Sequence, residues 1–263
     1  MKIISLAGSF RLDGNTNRIL DVIEKRLTVL ANENGMSIEI ERVQLGHSDI
    51  RICRGCRACF DRGEEKCSHK DDLLPIMSKL FQADGIIAAS PVYVEDVNGI
   101  MKNWIDRMAF LCHRPAFAGK TAYIITTSGM GTSNHARNTI LTAFTTWGIK
   151  IAGHSRFRMG ERMEPEVIES KYTDESNRAA AKLFKAVKNH SYAKPTLYSL
   201  IAFKVQQVCW QKVSKHQDTF DYYYWDNHGW LEKDCKYYTP NKAGFMKVEF
   251  ARMIGTIVAS FFI

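Results

Sequence analysis

Four cysteines lie within fifteen positions of the sequence, in the segment ICRGCRACFDRGEEKC, with the spacing C-x2-C-x2-C-x7-C. Thiolates at steps of three on a compact loop can converge on one small inorganic centre, and a fourth can close it. Four thiolates also make a structural zinc site, and simple thiols are a third alternative. Nearby arginines would offset the charge of such a centre or form a solvated basic loop. The residues concerned are Cys53, Cys56, Cys59 and Cys67, with Arg51, Arg54, Arg57 and Arg62.

The cysteine count as a whole points in the same direction. Seven cysteines do not pair evenly, and their local density favours metal or redox chemistry over a disulfide framework. The three cysteines outside the cluster are scattered, and we predict that they are packed or inert: Cys112, Cys209 and Cys235.

A second segment, GSFRLDGNTNR at residues 8–18, has the composition of an anion-binding loop. Backbone N–H groups, hydroxyls, a guanidinium, an amide and the positive end of a following helix would all favour a phosphate monoester. The side chains are those of Ser9, Arg11, Asn15 and Thr16. Neither a closing Gly-Lys-Ser/Thr nor GxGxxG spacing is present, so the loop indicates a mononucleotide. The structural alternative is a polar turn with a good helix N-cap.

The elements around these segments alternate short apolar runs with helical periodicity up to about residue 157, which predicts a doubly wound α/β domain. Ligands of such sheets bind beyond the carboxyl ends of the strands, so the loops after strands one, three and four are expected to bind them. Predicted strands are Lys2–Ala7, Ser37–Val43, Gly85–Ala89, Thr121–Thr127 and Ile149–Phe157. Predicted helices are Thr16–Asn34, Asp72–Phe81, Asn98–Cys112, Asn134–Trp147 and Asp174–Asn189, with Asp71, Asn98 and Asn134 near N-caps and Gly35 and Gly148 as stops.

The third of these loops, SPVYVEDVNGIMKNWIDR at residues 90–107, completes a recognisable pattern. Together with GSFRLDGNT it resembles the flavodoxin-like NAD(P)H-dependent FMN reductases, which combine strand-GS-x-R-x-x-G-N-T with a PVY turn and a helix carrying K-x-x-x-DR. The resemblance extends over about residues 1–155. It implies a five-stranded parallel sheet in the order 2-1-3-4-5, FMN as the cofactor and NAD(P)H as a co-substrate.

The resemblance also implies roles for individual residues. The FMN phosphate would be held by Ser9, Arg11, Asn15, Thr16 and Asn17, and the isoalloxazine would be lined by Pro91, Val92, Tyr93 and Val94. Close backbone approaches to its far edge would come from the loop TSGMGTSN, at Ser128, Gly129 and Gly131. His135 is a weak catalytic candidate beside this loop. Lys102, Asp106 and Arg107 are predicted to have a structural role on a helix surface.

The cysteine spacing resembles that of the iron-sulfur flavoproteins, a branch of the same group with a 4Fe-4S cluster close to FMN. The favoured hypothesis is an FMN-dependent NAD(P)H oxidoreductase that passes electrons to a small-molecule or protein acceptor. The alternative is an iron-sulfur electron carrier without a substrate of its own. A nucleic-acid-binding module is disfavoured, because no RNP, zinc-finger or helix-turn-helix pattern is present.

The C-terminal part of the sequence differs in composition. We divide the chain into an FMN-binding domain, residues 1–190, and a helical extension, residues 191–263, which would cover the flavin or build a dimer interface. The formal net charge is +8, and residues 170–263 carry 14 basic and 8 acidic side chains. This excess can attract nucleotides, acidic redox proteins, nucleic acid or anionic lipid, without choosing among them.

Aromatic residues are concentrated in the same extension. Of 29 in the chain, 15 lie beyond residue 194, and the run DYYYWDNHGW at 221–230 is expected to be buried. The uncharged run at residues 253–263 is too short to cross a membrane. No signal-type sequence is found at the N-terminus, so we expect a cytoplasmic protein, and the resemblance suggests a homo-oligomer.

Overall fold

Five parallel strands form the central sheet. A computed structural model describes residues 1–130, 133–160, 163–212, 218–240 and 243–262. The strands follow the order β2-β1-β3-β5-β6. A two-residue strand, β4, lies outside this order and pairs antiparallel with β3. Without β4 the order is 2-1-3-4-5, so the predicted fold class is confirmed. The strands are β1 Lys2–Ala7, β2 Glu39–Gln44, β3 Gly85–Tyr93, β4 Asp96–Val97, β5 Thr121–Ser128 and β6 Lys150–Arg158.

Helices cover both faces of this sheet. On β1, Ile3 and Ile4 point to opposite faces and each is fully buried. One face is packed by α1 and α6, and the other by α3, α4 and α5. The helices are α1 Asn15–Glu33, α2 Ala58–Asp61, α3 Leu73–Gln82, α4 Gly99–Arg107, α5 Asn134–Thr146, α6 Pro165–Lys188, α7 Leu197–Lys212, α8 Phe220–Asn227 and α9 Phe245–Ala259.

The helix that follows the anion-binding loop shows why the sequence folds this way. In α1, Ile19, Ile23, Leu27 and Ala31 recur at helical spacing, and all four are buried against the sheet. Gly35 has a φ of 64°, so the chain turns away after the helix through a left-handed residue, as the sequence predicts. The apolar stripe therefore fixes α1 with its N-terminus at the carboxyl end of β1.

Several predicted boundaries are wrong. The segment predicted as one helix from Asn98 to Cys112 is α4 followed by a separate 3-10 helix, Ala109–Cys112. The helix predicted to start at Asp174 begins at Pro165, because proline suits the first helical turn and Ile168 buries its side chain there. Periodicity marks the apolar stripe of a helix better than its polar first turns.

The three C-terminal helices have an apolar cluster of their own. Phe203 of α7 stacks on Trp225 of α8 with ring centroids 4.9 Å apart, and Trp225 meets Trp230 edge-on. Helices α7 and α9 pack closely, since a Cβ added at Gly255 would lie 2.7 Å from the Cβ of Lys204. Burial of the aromatic run is confirmed for Trp225 and Trp230, while Tyr223 is exposed.

Candidate functional site

A cavity of about 180 Å³ opens at the carboxyl ends of the strands, where the anion-binding loop meets the loops after β3 and β5. The N-terminus of α1 is at this cavity, so its first backbone N–H groups and its positive dipole end favour an anion. The lining residues are Ser9, Arg11, Gly14, Asn15, Thr16, Pro91, Val92, Tyr93, Thr127, Ser128, Gly129, Met159 and Gly160.

Hydrogen bonds within the anion-binding loop fix its shape. The Arg11 backbone N–H donates to Ser9 Oγ at 3.1 Å, and Asn17 Nδ2 donates to the Arg11 carbonyl at 2.7 Å. The hydroxyl oxygens of Thr16 and Thr127 lie 2.7 Å apart and join the loop to the end of β5. The loop is therefore shaped by bonds among its own residues and by a bond to β5.

Two neighbours that the sequence did not single out for this role lie directly against the loop. Asn98 accepts a hydrogen bond from the Met101 backbone N–H at 3.1 Å, which caps α4, and donates to the Gly8 carbonyl. Gly46 lies against the loop so closely that an added Cβ would be 2.5 Å from the Ser9 carbonyl oxygen. No sequence signal marks Gly46, because its requirement comes from a contact between two distant loops.

We expect Gly46→Ala to raise the Kd for FMN at least tenfold, because the new methyl group pushes the loop backbone out of position. Fluorescence quenching of added FMN measures the Kd. The matched control is Gly99→Ala, since a Cβ added at Gly99 meets nothing within 4 Å. Equal Kd values for the two variants would contradict the positional role of Gly46.

The loop after β3 is a tight hairpin. Val94 and Glu95 have φ values of 50° and 64°, and Tyr93 pairs with Asp96 across the turn. Positive φ at both central residues is the type I′ geometry, which glycine and asparagine favour and which strains a β-branched valine. The turn places Tyr93 at the cavity and leaves Val94 fully exposed outside its lining.

The predicted flavin residues divide into three groups. Nine of them line the cavity: Ser9, Arg11, Asn15, Thr16, Pro91, Val92, Tyr93, Ser128 and Gly129. Asn17 and Val94 do not line it, and Asn17 instead bonds the loop backbone. Gly131 lies outside the described residues. His135 is exposed on α5 and lines neither this cavity nor the one at the cysteines.

Sequence reasoning missed four lining residues. Gly14 and Thr127 belong to segments already assigned to the site, whereas Met159 and Gly160 follow β6. The rule that ligands bind beyond the carboxyl ends of parallel strands also applies to β6, the fifth parallel strand along the chain. The sequence therefore contained a signal for Met159 and Gly160.

A second cavity, of about 190 Å³, is lined by all four cysteines of the cluster, Cys53, Cys56, Cys59 and Cys67. Phe60, Leu73, Ala109 and Phe110 supply apolar walls. Across the described ranges, no three His, Cys, Asp or Glu side chains are grouped so that they could hold a metal ion. The four thiols have the number and donor type of a thiolate-ligated centre and line one cavity, although in this structure they are not gathered around a single point.

The start of the cysteine loop is fastened to α4. Asn103 Oδ1 accepts from the Cys53 backbone N–H at 3.3 Å, and Arg107 Nη1 donates to the Arg51 carbonyl at 2.7 Å. Arg107 Nη1 also lies 2.6 Å from Asp71 Oδ2, with both side chains almost fully buried, and Arg107 Nη2 lies 3.8 Å from Cys67 Sγ. Arg107 thus places a positive charge beside the cysteine cavity.

The helix-surface prediction is therefore right for two residues and wrong for the third. Lys102 and Asp106 form the expected exposed pair one turn apart, with Nζ 2.6 Å from Oδ1. Arg107 lies on the buried side, where Asp71, the Arg51 carbonyl and Cys67 Sγ are its partners. Burial opposes ionisation of Asp71, but the hydrogen bonds from Arg107, Arg51 and Leu73 outweigh it and lower the pKa of the Asp71 carboxyl.

Another buried arginine connects the cysteine loop to the C-terminal extension. Arg114 Nη2 donates to the Cys59 carbonyl at 2.8 Å, and Nη1 donates to Glu64 at 2.6 Å. Arg114 Nε lies 2.8 Å from Oδ1 of Asp221 in α8, and Oδ2 of Asp221 lies 2.6 Å from His113 Nδ1. The extension therefore packs at the cysteine loop, and no described residue beyond Gly160 lines the cavity at the anion-binding loop.

The thiols of the cluster differ in environment. Cys53 and Cys56 are exposed, whereas Cys59 is half-buried. Burial raises the pKa of the Cys59 thiol to about 11, although its own backbone N–H and the charge of Arg114 act in the opposite direction. In the metal-free chain the Cys59 thiol is therefore more protected from reaction than the exposed thiols of Cys53 and Cys56.

A parallel sheet in the order 2-1-3-4-5, with an anion-binding loop after its first strand, defines a flavodoxin-like nucleotide-binding protein. A sequence model of the family described as NADPH-dependent FMN reductase matches residues 1–162. The chain belongs to this family. Membership gives it a flavin-based redox function, with FMN as the bound cofactor.

Curated relatives extend this result. An iron-sulfur flavoprotein of Archaeoglobus fulgidus is 28% identical over 232 residues, which cover 88% of this chain and 100% of the relative. An iron-sulfur flavoprotein of Methanosarcina thermophila is 30% identical, covering 56% of this chain and 72% of the relative. One from Methanocaldococcus jannaschii is 37% identical over 41% of this chain and about half of the relative, 51%.

Solved structures agree on the fold. A flavone reductase aligns with a TM-score of 0.55 at 16% identity, covering 72% of this chain and 64% of the other. An NADH:FMN oxidoreductase aligns with a TM-score of 0.52 at 16% identity, covering 72% and 90%. Within the described part of the chain, none of the helices has both the length and the apolar character that a membrane crossing requires.

Proposed function

We propose that this protein is an FMN-dependent NAD(P)H oxidoreductase that passes electrons to a small-molecule or protein acceptor. The observation that carries the proposal is the cavity that brings the N-terminus of α1, Ser9, Arg11 and Thr16 to the same strand ends as Pro91 and Tyr93. Bound FMN supplies the electron transfer, and the overall reaction oxidises NAD(P)H to NAD(P)⁺ while the acceptor gains the same electrons.

The residues of the chain position and enclose the cofactor. The phosphate would be bound by Ser9, Arg11, Asn15 and Thr16 and by the first N–H groups of α1. The ring system would lie against the carboxyl ends of β3 and β5, where the backbone at Ser128 and Gly129 allows a close approach. The chain thus supplies orientation and partial exclusion of water.

Anaerobic titration of the FMN-loaded protein with NADH and with NADPH tests the proposal. We expect the flavin absorbance to bleach with at least one nucleotide and to return when a quinone or free flavin is added. A bound flavin that stays oxidised with both nucleotides would refute the oxidoreductase function.

Arg11→Ala is expected to raise the Kd for FMN about tenfold or more, because it removes a charge-assisted hydrogen bond to the phosphate. Arg11 is exposed, so the substitution leaves the core untouched. Arg26→Ala, on α1 and away from the cavity, is the control and should leave the Kd unchanged. Riboflavin, which lacks the phosphate, should bind both variants equally.

A second candidate function is favoured by the single cavity that all four clustered cysteines line. In this hypothesis Cys53, Cys56, Cys59 and Cys67 would hold a 4Fe-4S cluster, which supplies one-electron transfer between FMN and a redox partner. Arg107 and the exposed Arg54 and Arg57 would offset its negative charge. The names of the curated relatives support the same assignment.

Iron and acid-labile sulfide analysis of anaerobically purified protein tests the cluster. We expect about four of each per chain. Zinc in place of iron would support the structural alternative, and an absence of all three would leave only thiols. The homo-oligomer and the cytoplasmic location stay predictions, which sedimentation velocity and cell fractionation would check.

A further inference from the structure

The edge strand β6 carries a row of basic side chains that no acidic residue of the strand balances. His154, Arg156 and Arg158 alternate along β6 and are exposed. Arg137 of α5 joins them, with Nη1 3.5 Å from His154 Nε2, and these four residues form what we call the basic patch. From residue 107 to residue 160 the sequence has seven lysines and arginines and no aspartate or glutamate.

The arginines of the basic patch bond neutral groups. Arg156 Nη1 donates to Asn134 Oδ1 at 2.7 Å, and Arg137 Nη2 donates to Asn138 Oδ1 at 2.7 Å. Among the described residues, no carboxylate forms an ion pair with Arg137, Arg156 or Arg158. Their charges are therefore available to an anion from outside the chain.

His154 shows that these charges act together. Burial lowers the pKa of its imidazole, and so do the charges of Arg137, Arg156 and Lys182. Glu175 on α6 acts in the opposite direction but does not outweigh them. An anion at this place would accordingly meet a positive field.

Acidic residues of neighbouring elements reduce the charge of this region without cancelling it. Helix α6 contributes two acidic and two basic side chains, which are Asp174, Glu175, Arg178 and Lys182. The hairpin after β3 contributes Glu95 and Asp96, since the Glu95 carbonyl accepts from the Ala136 N–H at the start of α5. Residues 133–160 have four lysines and arginines, so the region as a whole keeps a net charge of +2.

The opposite edge strand, β2, differs in this respect. Each of its three charged side chains is in an ion pair with an N–O distance of 2.6–3.2 Å: Glu39, Glu41 and Arg42. Charged residues on an edge strand discourage pairing with another chain, and β2 shows that paired charges are compatible with that position. The unpaired arginines of β6 therefore indicate a function of their own.

The basic patch begins at the mouth of the cavity next to the anion-binding loop. Arg158 pairs with Ser128 across the sheet, and the next two residues, Met159 and Gly160, line the cavity together with Ser128. Arg156 lies about 7 Å farther away along β6, because a strand rises about 3.3 Å per residue. A ligand with one end at this cavity can thus extend along the patch.

We propose that the basic patch binds the phosphates of the nicotinamide nucleotide and makes the protein prefer NADPH to NADH, an inference that rests on the proposed oxidoreductase function. Along NADPH the pyrophosphate follows the nicotinamide riboside, and the 2′-phosphate is farther along, on the adenosine. Arg158, at the mouth, would bind the pyrophosphate, which both nucleotides have. Arg156 and Arg137 would bind the 2′-phosphate, which NADH lacks, because the planar guanidinium matches phosphate geometry.

A protein partner fits this surface less well than a nucleotide. The cores of protein interfaces are rich in large apolar and aromatic side chains. Residues 133–160 expose no large apolar side chain, so the patch offers charge without such a core. A small ligand with two or three phosphate groups matches both its extent and its chemistry.

Calorimetric binding of adenosine 2′,5′-bisphosphate and of AMP to the FMN-loaded protein tests the site without a redox step. We expect the bisphosphate to bind at least tenfold more tightly than AMP, and we expect Arg156→Gln to remove most of the difference. Lys25→Gln, which removes an exposed cation of α1, is the control and should leave both Kd values unchanged. Equal Kd values for the two probes in the wild type would overturn the proposal.

Anaerobic flavin reduction then distinguishes the two ends of the patch. Arg156→Gln is expected to slow reduction by NADPH about tenfold and to leave reduction by NADH unchanged, whereas Arg158→Gln should slow both. Retained FMN absorbance shows that the variants are folded. Rates that neither substitution changes would count against the patch.

Failure of this inference can be told apart from failure of the oxidoreductase function. A flavin that both nucleotides bleach at equal rates, in a protein that binds the bisphosphate no better than AMP, would refute the patch alone. A flavin that neither nucleotide bleaches would refute the oxidoreductase function, and the calorimetric comparison would still decide whether Arg156 binds a 2′-phosphate.

Discussion

Replacement of Arg107 by methionine is expected to lower the free energy of unfolding by about 3–5 kcal/mol. Arg107 and Asp71 form an ion pair that is almost entirely buried, and methionine fills a similar volume without the charge. Asp71 is then left buried with no cation, and the carbonyl of Arg51 loses a donor. Urea unfolding followed by circular dichroism measures the change.

The same helix provides the control. Lys102→Met removes the cation of the exposed pair with Asp106 and is expected to cost no more than about 0.5 kcal/mol. Because the two substitutions are alike in chemistry and lie five residues apart, they differ mainly in burial. Similar losses for both would contradict the assignment of Arg107 as the buried anchor of the cysteine loop.

This pair also predicts a pH dependence. The pKa of Asp71 is lowered in the folded protein, so its contribution to stability is complete above the unfolded pKa of about 4 and is lost as pH falls through the folded pKa. The stability difference between the wild type and Arg107→Met should accordingly be larger near neutral pH than in acid, because protonation of Asp71 in the variant removes the buried charge that lacks a cation. A stability difference that grows as the pH falls would contradict the lowered pKa of Asp71.

The second large effect is expected for Asp221→Asn. Asp221 is buried and faces both Arg114 and His113, so removal of its charge leaves the Arg114 guanidinium with Glu64 as its one remaining carboxylate among the described contacts. We expect a loss of about 3 kcal/mol or more in unfolding free energy. We also expect at least a tenfold faster alkylation of Cys59 in the metal-free protein, because the guanidinium that holds its carbonyl becomes mobile.

Mass spectrometry of the alkylated protein resolves the individual cysteines. Asp226→Asn is the matched control, since Asp226 is on the same helix α8 but exposed. Its alkylation rate at Cys59 should equal that of the wild type, and exposed Cys53 and Cys56 should react quickly in all three proteins. Unchanged protection of Cys59 in Asp221→Asn would show that the extension does not hold the loop.

Local patterns in the sequence were sufficient for the scaffold. Alternating apolar runs identified the five parallel strands, and the polar segment at residues 8–18 marked the loop that now lines a cavity. Both signals come from residues that are close together in the sequence. Short apolar runs mark the strands, and polar residues ahead of a helix mark its N-terminus. For the same reason Asn98 could be placed at the start of a helix before its bond to Gly8 was known.

The contacts that cross between elements could not be obtained in this way. His113 and Asp221 are 108 positions apart, and no periodicity relates them. Arg107 follows a Lys–Asp pair that looks like an exposed helix face, and only the packing of α4 shows that its side chain points inward. Gly46 carries no signal at all, since its lack of a side chain matters only where it meets Ser9.

Helix α4 is hydrogen-bonded to the loops of both cavities. Asn98 ties its first turn to the anion-binding loop, and Arg107, about 13 Å farther along, holds the start of the cysteine loop. If the four cysteines hold a metal centre, any factor by which bound FMN changes the affinity for that centre is also the factor by which the centre changes the affinity for FMN, by thermodynamic reciprocity. A substitution that displaces α4 is therefore expected to disturb the anion-binding loop and the cysteine loop together.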